Sequence, residues 1–165
     1  MKLAKSLDRL GTETAFSVLA EAKKLEATGK PMIHLGLGQP DFKTPQHIVD
    51  AAKKALDDGH HGYVLSNGIL ECRQAVTRKI KKLYNQDVDP ERIIIMPGGK
   101  PTMSYAIQCF GEPGVEIIHP TPAFPIYESM INFTGAKPVP YDLTEDKDLK
   151  FNPEKILSLI TDKTR

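Results

Sequence analysis

The sequence predicts an α/β fold with a mostly parallel sheet. After residue 90, short extended apolar pieces alternate with helical segments, an order typical of βαβ units. Hydrophobic residues make up 40% of the chain and charged residues 26%, the balance of a chain that buries an apolar core. At 165 residues the chain has the length of one domain, or of one and a half small ones. The extended pieces are residues 93–95, 115–118 and 138–141, and the helical segments are residues 101–110 and 124–133.

The N-terminal part begins with a predicted helix over residues 13–28. Its apolar residues recur at helical spacing, and Gly29 and Pro31 end the pattern. A short extended piece at residues 32–35 follows. Residues 36–41 contain glycines and a proline, so they are predicted to form a loop.

A second helix is predicted between Thr44 and Gly59. Thr44 is a favoured N-cap residue, and Pro45 suits the first helical position. The residues between them place apolar side chains on one face, and Gly59 ends the helix. Residues 60–68 then form another predicted loop.

A third helix is predicted over residues 69–83. Its charged residues are interpreted as a solvated outer face, because an amphipathic helix normally turns such side chains to water. The apolar stripe consists of Ile69, Cys72, Val76, Ile80 and Leu83, and the charged face consists of Arg73, Lys79, Lys81 and Lys82.

The last predicted element is a short helix that starts at Asn152-Pro153 and runs through Ile160. Asparagine is a favoured cap, and proline suits the first helical turn. The alternation of elements then calls for a strand at Arg165.

Charge and cysteine content exclude several classes of function. Lys and Arg number 22 against 21 Asp and Glu, a net charge of +1, so nucleic acid is not an expected partner. Cys72 and Cys109 have no neighbouring Cys or His at metal-ligand spacing, so neither a metal site nor a disulfide framework is expected. Charges interrupt the N-terminal segment and no apolar run is long enough for a membrane span. We therefore expect a cytoplasmic protein without membrane contact.

A glycine turn, Pro97-Gly98-Gly99-Lys100, follows the predicted strand of residues 93–96 and precedes a helix. Backbone N–H groups and the positive end of the helix dipole make such a turn suitable for a phosphate group. A tight strand-to-helix turn explains the two glycines equally well. Lys100 is either a neighbour of that phosphate or an exposed residue, since the spacing matches neither a Walker A nor a GxGxxG motif.

Three further loop residues are candidates for ligand contact. Gly38 lies in a glycine loop that lets the backbone approach a small ligand, although such a loop also serves as a plain turn. Tyr63 lies in a polar loop and offers a phenol group, or simply packs. Phe124 lies in the proline-rich segment 120–127, where its ring either stacks on a flat ligand or belongs to the core.

Taken in order, these motifs resemble the class I/II aminotransferases, fold type I enzymes that use pyridoxal 5′-phosphate (PLP). The resemblance covers essentially the whole chain. It implies an N-terminal arm, part of a small domain and the first half of the mixed, mostly parallel sheet of a large domain. The motifs are residues 35–45 (LGLGQPDFKTP), 63–73 (YVLSNGILECR), 97–100 (PGGK), 120–127 (PTPAFPIY) and 135–138 (GAKP).

The resemblance also implies roles for single residues. The backbone of Gly38 would contact the α-carboxylate of the substrate, and the Gly98-Gly99-Lys100 turn would hold the PLP phosphate. Phe124 corresponds to the family's aromatic ring that stacks on the pyridine, where many members have Trp or Tyr. Tyr63 resembles the tyrosine that reaches the cofactor phosphate of the neighbouring subunit, so the implied assembly is a homodimer.

Several functional residues of the family have no match in this sequence. They are the Schiff-base lysine, the Asp that pairs with the pyridine nitrogen, the Asn and Tyr near the ring oxygen, and the Arg that binds the substrate carboxylate. We therefore expect an N-terminal portion of an aminotransferase that contains no catalytic residue and is inactive by itself. In addition, Pro101 has no N–H, so the phosphate must rely on the donors before and after it.

The implied activity is transfer of an amino group between an amino acid and a 2-oxo acid. A fold type I lyase or decarboxylase would share the same first half. A non-enzymatic remnant or dimerisation module is the alternative from a different class.

The resemblance also predicts domains and sheet order. Residues 1–44 are expected to form the arm and part of the small domain, and residues 45–165 the first half of the PLP-binding domain. The strand at residues 93–96 is expected not to pair with those near residues 115–119 and 137–141, which should pair with each other.

Overall fold

The computed structural model describes residues 2–11, 15–36, 38–143 and 149–165. The first two residues of the helix predicted over 13–28, and residue 37 of the following loop, lie outside the described residues. In the described residues the helices are α1 (Ala15–Glu26), α2 (Gln46–Asp57), α3 (Leu70–Tyr84), α4 (Gly99–Phe110), α5 (Ile126–Thr134) and α6 (Pro153–Leu157), and the strands are β1 (Glu116–Thr121) and β2 (Lys137–Asp142). Two short 3-10 helices, Lys5–Arg9 and Pro90–Arg92, complete the set.

The chain divides into two compact units. The outer unit consists of Met1–Met32 and Gly98–Arg165, and the middle unit consists of Ile33–Pro97. The domain boundary at residue 44, which concerns the family's small and large domains, stays a prediction.

The outer unit contains a parallel βαβ element. β1 and β2 pair in parallel from Glu116 opposite Lys137 to Thr121 opposite Asp142, and α5 connects them. This confirms the predicted pairing of the two later strands. On the opposite edge of β1, the N–H of Glu116 donates to the carbonyl of Lys163 at 2.9 Å, and Arg165 donates to the carbonyl of Glu116 at 3.1 Å. Residues 163–165 therefore run beside β1, where the sequence predicted a strand.

The core of the outer unit lies between this sheet and α5. Val115, Ile131 and Ala136 are buried together, and Ile107 of α4 and Ile117 of β1 pack against them. Burial of this apolar cluster holds α4 and α5 against the sheet.

The N-terminal segment docks on α5. The Arg9 guanidinium donates from Nε to the carbonyl of Asn132 at 2.8 Å and from Nη2 to that of Phe133 at 2.7 Å. The N–H of Gly11 donates to the Ser129 hydroxyl at 3.0 Å. Arg9 thereby satisfies carbonyl groups at the C-terminal end of α5, where helical acceptors lack partners and a cation is favoured.

The predicted N-cap residue is confirmed for α6 and is wrong for α2. The side chain of Asn152 accepts hydrogen bonds from the N–H groups of Glu154 and Lys155, which confirms the predicted start of α6. The cap of α2 is Pro45 and not Thr44, and no side chain caps this helix. The prediction for Thr44 is wrong because the helix begins after the proline rather than at it.

The prediction that Arg73 lies on a solvated face is also wrong. Only 2% of Arg73 is exposed, and its side chain binds groups outside α3. The hydrogen-bond acceptors around it replace water, which is what permits a guanidinium to be buried.

Residues 93–96 form no strand, and the sheet in the described residues consists of β1 and β2. The strand predicted at these residues is therefore wrong, whereas the expectation that they do not pair with the two later strands is confirmed. The N–H of Ile95 donates instead to the carbonyl of Asn67 at 3.1 Å. The extended piece predicted at residues 32–35 is likewise not part of a sheet. None of the described helices combines the length and the apolarity needed to cross a bilayer.

Candidate functional site

The glycine turn forms the N-terminus of α4. Gly98 is its N-cap residue, with φ 105° and ψ 165°, a backbone conformation that favours glycine. No side chain caps this helix and its first turn holds no acidic residue. The first N–H groups of a helix have no acceptor within it, so this turn presents donors and a positive partial charge, and no carboxylate of the first helical turn competes for them.

The turn is open on the side where a side chain would otherwise stand. A Cβ added at Gly98 would meet only Pro101 Cδ at 4.0 Å, and one added at Gly99 would meet only Met103 Cε at 3.9 Å. The Thr102 hydroxyl donates to the carbonyl of Gly98 at 3.1 Å, which fixes the turn from inside the helix. A ligand can therefore approach the backbone of both glycines closely.

Phe124 lies next to this turn. It follows the end of β1 and precedes α5, and 38% of the residue is exposed. The Lys100 ammonium lies over its ring, 5.1 Å from the ring centroid, within the range of a cation–π contact. The structure thus brings together a helix N-terminus, a cation and a partly exposed aromatic face, which suit a flat ligand that carries an anionic group.

The sequence that forms this arrangement matches the model of a known family. The family model described as "Aminotransferase class I and II" matches residues 30–165. The chain belongs to this family.

Individual relatives agree with that assignment. The aspartate aminotransferase of Bacillus subtilis (strain 168) is 37% identical over 165 residues, which are 100% of this chain and 42% of that protein. The (5-formylfuran-3-yl)methyl phosphate transaminase of Methanocaldococcus jannaschii is 37% identical over 163 residues, 99% of this chain and 42% of that protein.

Solved structures give the same result for the fold. The aspartate aminotransferase of Thermus thermophilus with maleate superposes with a TM-score of 0.90 at 30% identity, covering 100% of this chain and 43% of that one. The alanine aminotransferase of Pyrococcus furiosus also gives 0.90 at 30% identity, covering 99% and 42%. The fold type I α/β architecture predicted from the sequence is therefore confirmed. The chain spans about two fifths of the length of the relatives it matches.

Class I and II aminotransferases use PLP, and the residues of this site fit that group. The glycine backbone and the N-terminus of α4 supply donors for a phosphate, and the Phe124 face offers a surface for a pyridine ring. Pro101, the third residue of α4, contributes no N–H to the donor set.

The other two predicted site residues belong to the middle unit. Gly38 has no atom within 4 Å of an added Cβ, so its backbone is accessible. Tyr63 is fully exposed and lines a cleft of about 690 Å³ together with His60 and Glu71. Their predicted roles toward substrate and neighbouring subunit stay predictions.

Sequence analysis missed one residue of the middle unit, Arg73. Its spacing contained a signal, because Arg73 precedes Val76 and Ile80 at helical intervals and so lies on their apolar face. Among the described residues no group of His, Cys, Asp and Glu is arranged to hold a metal ion, and Cys72 and Cys109 are free thiols.

Proposed function

We propose that this chain supplies phosphate and ring contacts to PLP in an aminotransferase that moves an amino group between an amino acid and a 2-oxo acid. One observation carries the proposal. Lys100 and Phe124 lie together, 5.1 Å from ammonium to ring centroid, at the open glycine turn of α4.

In this proposal the N–H groups at the start of α4 bind the phosphate, and Gly98 and Gly99 allow it to approach the backbone. The Phe124 ring covers one face of the pyridine and excludes water from it. When bound, PLP supplies the electron sink for breaking a bond at the amino acid Cα. The residues of this chain bind and orient, and they contain no match to the family's Schiff-base lysine. We therefore propose that the 165 residues alone turn over no amino acid.

The remaining roles follow the family. Gly38 is proposed to contact the substrate α-carboxylate through its backbone. Tyr63 is proposed to reach the cofactor phosphate of a second subunit in a homodimer, which its complete exposure supports. A cytoplasmic location is proposed with them. Aspartate is the amino donor to test first, because relatives such as the Bacillus subtilis protein are named for it.

The proposal is tested by comparing PLP with pyridoxal, which has the same ring without the phosphate. Binding of each to the chain is measured by equilibrium dialysis, and we expect PLP to bind more tightly. Gly98→Ala should remove much of this preference because φ 105° is strained for alanine and its Cβ narrows the turn. Gly114→Ala is the matched control, since Gly114 has φ 92° and no atom within 4 Å of an added Cβ.

Both substitutions place an alanine at a positive φ, and each should cost about 1–3 kcal/mol of stability. Only Gly98→Ala should lower the preference for PLP. Equal binding of PLP and pyridoxal to the unmodified chain, or an unchanged preference in Gly98→Ala, would contradict the proposed cofactor site. Turnover of aspartate with a 2-oxo acid well above that of free PLP would contradict the proposed inactivity of the chain.

A further inference from the structure

We propose that the Lys100 side chain is a positioning residue that couples phosphate binding to ring binding. Without a ligand its ammonium covers the Phe124 ring. A phosphate at the start of α4 draws the ammonium away and uncovers the ring for a flat pyridine. The inference rests on the proposed function, which places the phosphate at the Gly98–Gly99 turn and the pyridine on Phe124. All of these residues belong to the outer unit.

The contact that starts this inference joins Lys100 and Phe124. The ammonium lies 5.1 Å from the ring centroid, within the distance at which a cation is attracted to the face of an aromatic ring. Phe124 is 38% exposed, so water reaches this contact and weakens it. The ring therefore holds the ammonium only lightly, and a stronger partner displaces it.

A phosphate bound at the glycine turn is such a partner. Lys100 is the second residue of α4, next to Gly99, and the first turn of the helix holds no acidic residue. Side chains of a helix lean toward its N-terminus, where a bound anion is favoured. A dianionic phosphate there offers the ammonium charge-assisted hydrogen bonds, which are stronger than an exposed cation–π contact. We therefore expect the ammonium to leave the ring when phosphate binds.

A pyridine that is joined to this phosphate needs the same side of the Phe124 ring. One CH2–O group links phosphate and pyridine in PLP, so the pyridine approaches Phe124 from the N-terminal end of α4. Lys100 extends from that same helix end, and its ammonium already lies over the ring. An ammonium and a pyridine cannot occupy one ring face together. Pyridoxal must therefore displace the ammonium without compensation, whereas PLP provides a new partner for it.

The substitution Lys100→Ala should act on the two ligands in opposite directions. Pyridoxal should bind about two- to fivefold more tightly, the scale of an exposed cation–π contact that no longer has to be broken. PLP should bind about tenfold less tightly, because the hydrogen bonds between ammonium and phosphate are lost. A merely structural role would weaken both ligands together. Lys100→Arg keeps a cation and should restore most of the affinity for PLP.

Equilibrium dialysis of the full chain measures both affinities. Lys155→Ala is the matched control, because the Lys155 ammonium also lies over a ring, 5.3 Å from the centroid of Tyr141, but belongs to α6. This control should change neither affinity.

A second measurement follows the Lys100 side chain in the unmodified chain. Protons above an aromatic ring are shifted upfield by its ring current, so the ε-methylene protons of Lys100 and Lys155 should both give upfield NMR signals. Inorganic phosphite, an anion that matches the phosphate end of PLP, is the probe. Adding phosphite should move the Lys100 signal toward that of exposed lysines and leave the Lys155 signal in place.

A Lys100 signal that phosphite leaves unchanged would overturn the proposal. Pyridoxal binding that is unchanged or weaker in Lys100→Ala would overturn it as well. The NMR measurement needs no variant, so it decides the question even if Lys100→Ala does not fold. Equal binding of PLP and pyridoxal to the unmodified chain would refute the proposed function, and the role of Lys100 with it. A preference for PLP with an unmoved Lys100 signal would refute the role of Lys100 alone.

Discussion

The Lys137 ammonium donates a hydrogen bond of 2.8 Å to Glu116 Oε1, and these two residues are also opposite each other in the register of β1 and β2. The other carboxylate oxygen, Oε2, accepts from the Thr161 hydroxyl at 2.8 Å. The Glu116 side chain is 11% exposed and that of Lys137 is 70% exposed. One carboxylate thereby links both neighbours of β1, the strand β2 and the segment at residues 161–165.

The first prediction concerns the pH dependence of this link. The hydrogen bond from Lys137, and next that from Thr161, lower the pKa of Glu116 below its ordinary value of 4.5. A carboxyl group whose pKa is lowered by folding stabilises the fold above its unfolded pKa and loses that contribution as pH falls through the folded pKa. Glu116→Gln should therefore lower the free energy of unfolding at neutral pH. The difference from the unmodified chain should shrink as pH falls below 4.5 and vanish below the folded pKa.

Urea unfolding at a series of pH values measures this difference. Glu112→Gln is the control, because Glu112 is an exposed carboxylate in the loop between α4 and β1. A stability loss in Glu116→Gln that stays constant from neutral pH into acid would show that the charge of the carboxylate contributes nothing.

The second prediction separates backbone strain from steric overlap at two glycines of the middle unit. Gly68 and Gly59 have φ 94° and 84°. A Cβ at Gly68 would lie 2.7 Å from Ile95 Cγ1, whereas one at Gly59 would meet no atom within 4 Å. Gly59→Ala should cost about 1–2 kcal/mol of stability through strain alone. Gly68→Ala should cost about 2–5 kcal/mol because overpacking adds to the strain.

Chemical denaturation of the two variants measures both costs. Equal losses for the two alanines would mean that Ile95 moves away from Gly68 at no cost, and that the contact between them is loose.

The third prediction concerns the Phe124 ring. Phe124→Ala should weaken binding of PLP by about 0.5–1.5 kcal/mol beyond the effect of the lost area, because stacking of two aromatic rings adds to burial. Phe124→Tyr keeps the ring and should retain most of the affinity. Phe110→Ala is the control, since Phe110 is 63% exposed at the opposite end of α4. Fluorescence or absorbance titration gives the affinities, and a loss equal to that of Phe110→Ala would assign Phe124 a packing role.

The fourth prediction is that Lys100 forms no covalent bond with the cofactor aldehyde. Lys100 is the second residue of α4, at the end proposed for the phosphate, while the aldehyde lies elsewhere on the ring. Borohydride reduction of the PLP-treated chain followed by peptide mapping detects any such bond. Lys155 is a matched reference because its ammonium also lies over a ring, 5.3 Å from the centroid of Tyr141. A stoichiometric pyridoxyl adduct on Lys100, absent from Lys155, would refute the prediction.

Local features of this chain were predictable from the sequence because their causes lie within a few residues. Asn152 caps α6 through N–H groups two and three positions ahead. The glycine turn before α4 is a short-range pattern of the same kind. The sequence also named Phe124 and the Gly98–Lys100 turn as parts of a site, through the order of motifs that resembles a family. The sequence did not predict that the Lys100 ammonium lies over the Phe124 ring.

Other features were decided by tertiary structure because their partners are distant in the sequence. Residues 93–96 have the composition of a strand, yet a strand also needs a second chain segment for its hydrogen bonds, and among the described residues β1 and β2 pair with each other. Arg73 is charged, so the sequence predicts a solvated side chain. Pro90 and Glu91 nevertheless supply acceptors that let its charge be buried. Glu116 is tied to Thr161 across 45 positions, and no local pattern contains that pair. A hydrogen-bond partner far along the chain changes whether a polar group lies in water or in the interior, and only the folded chain supplies it.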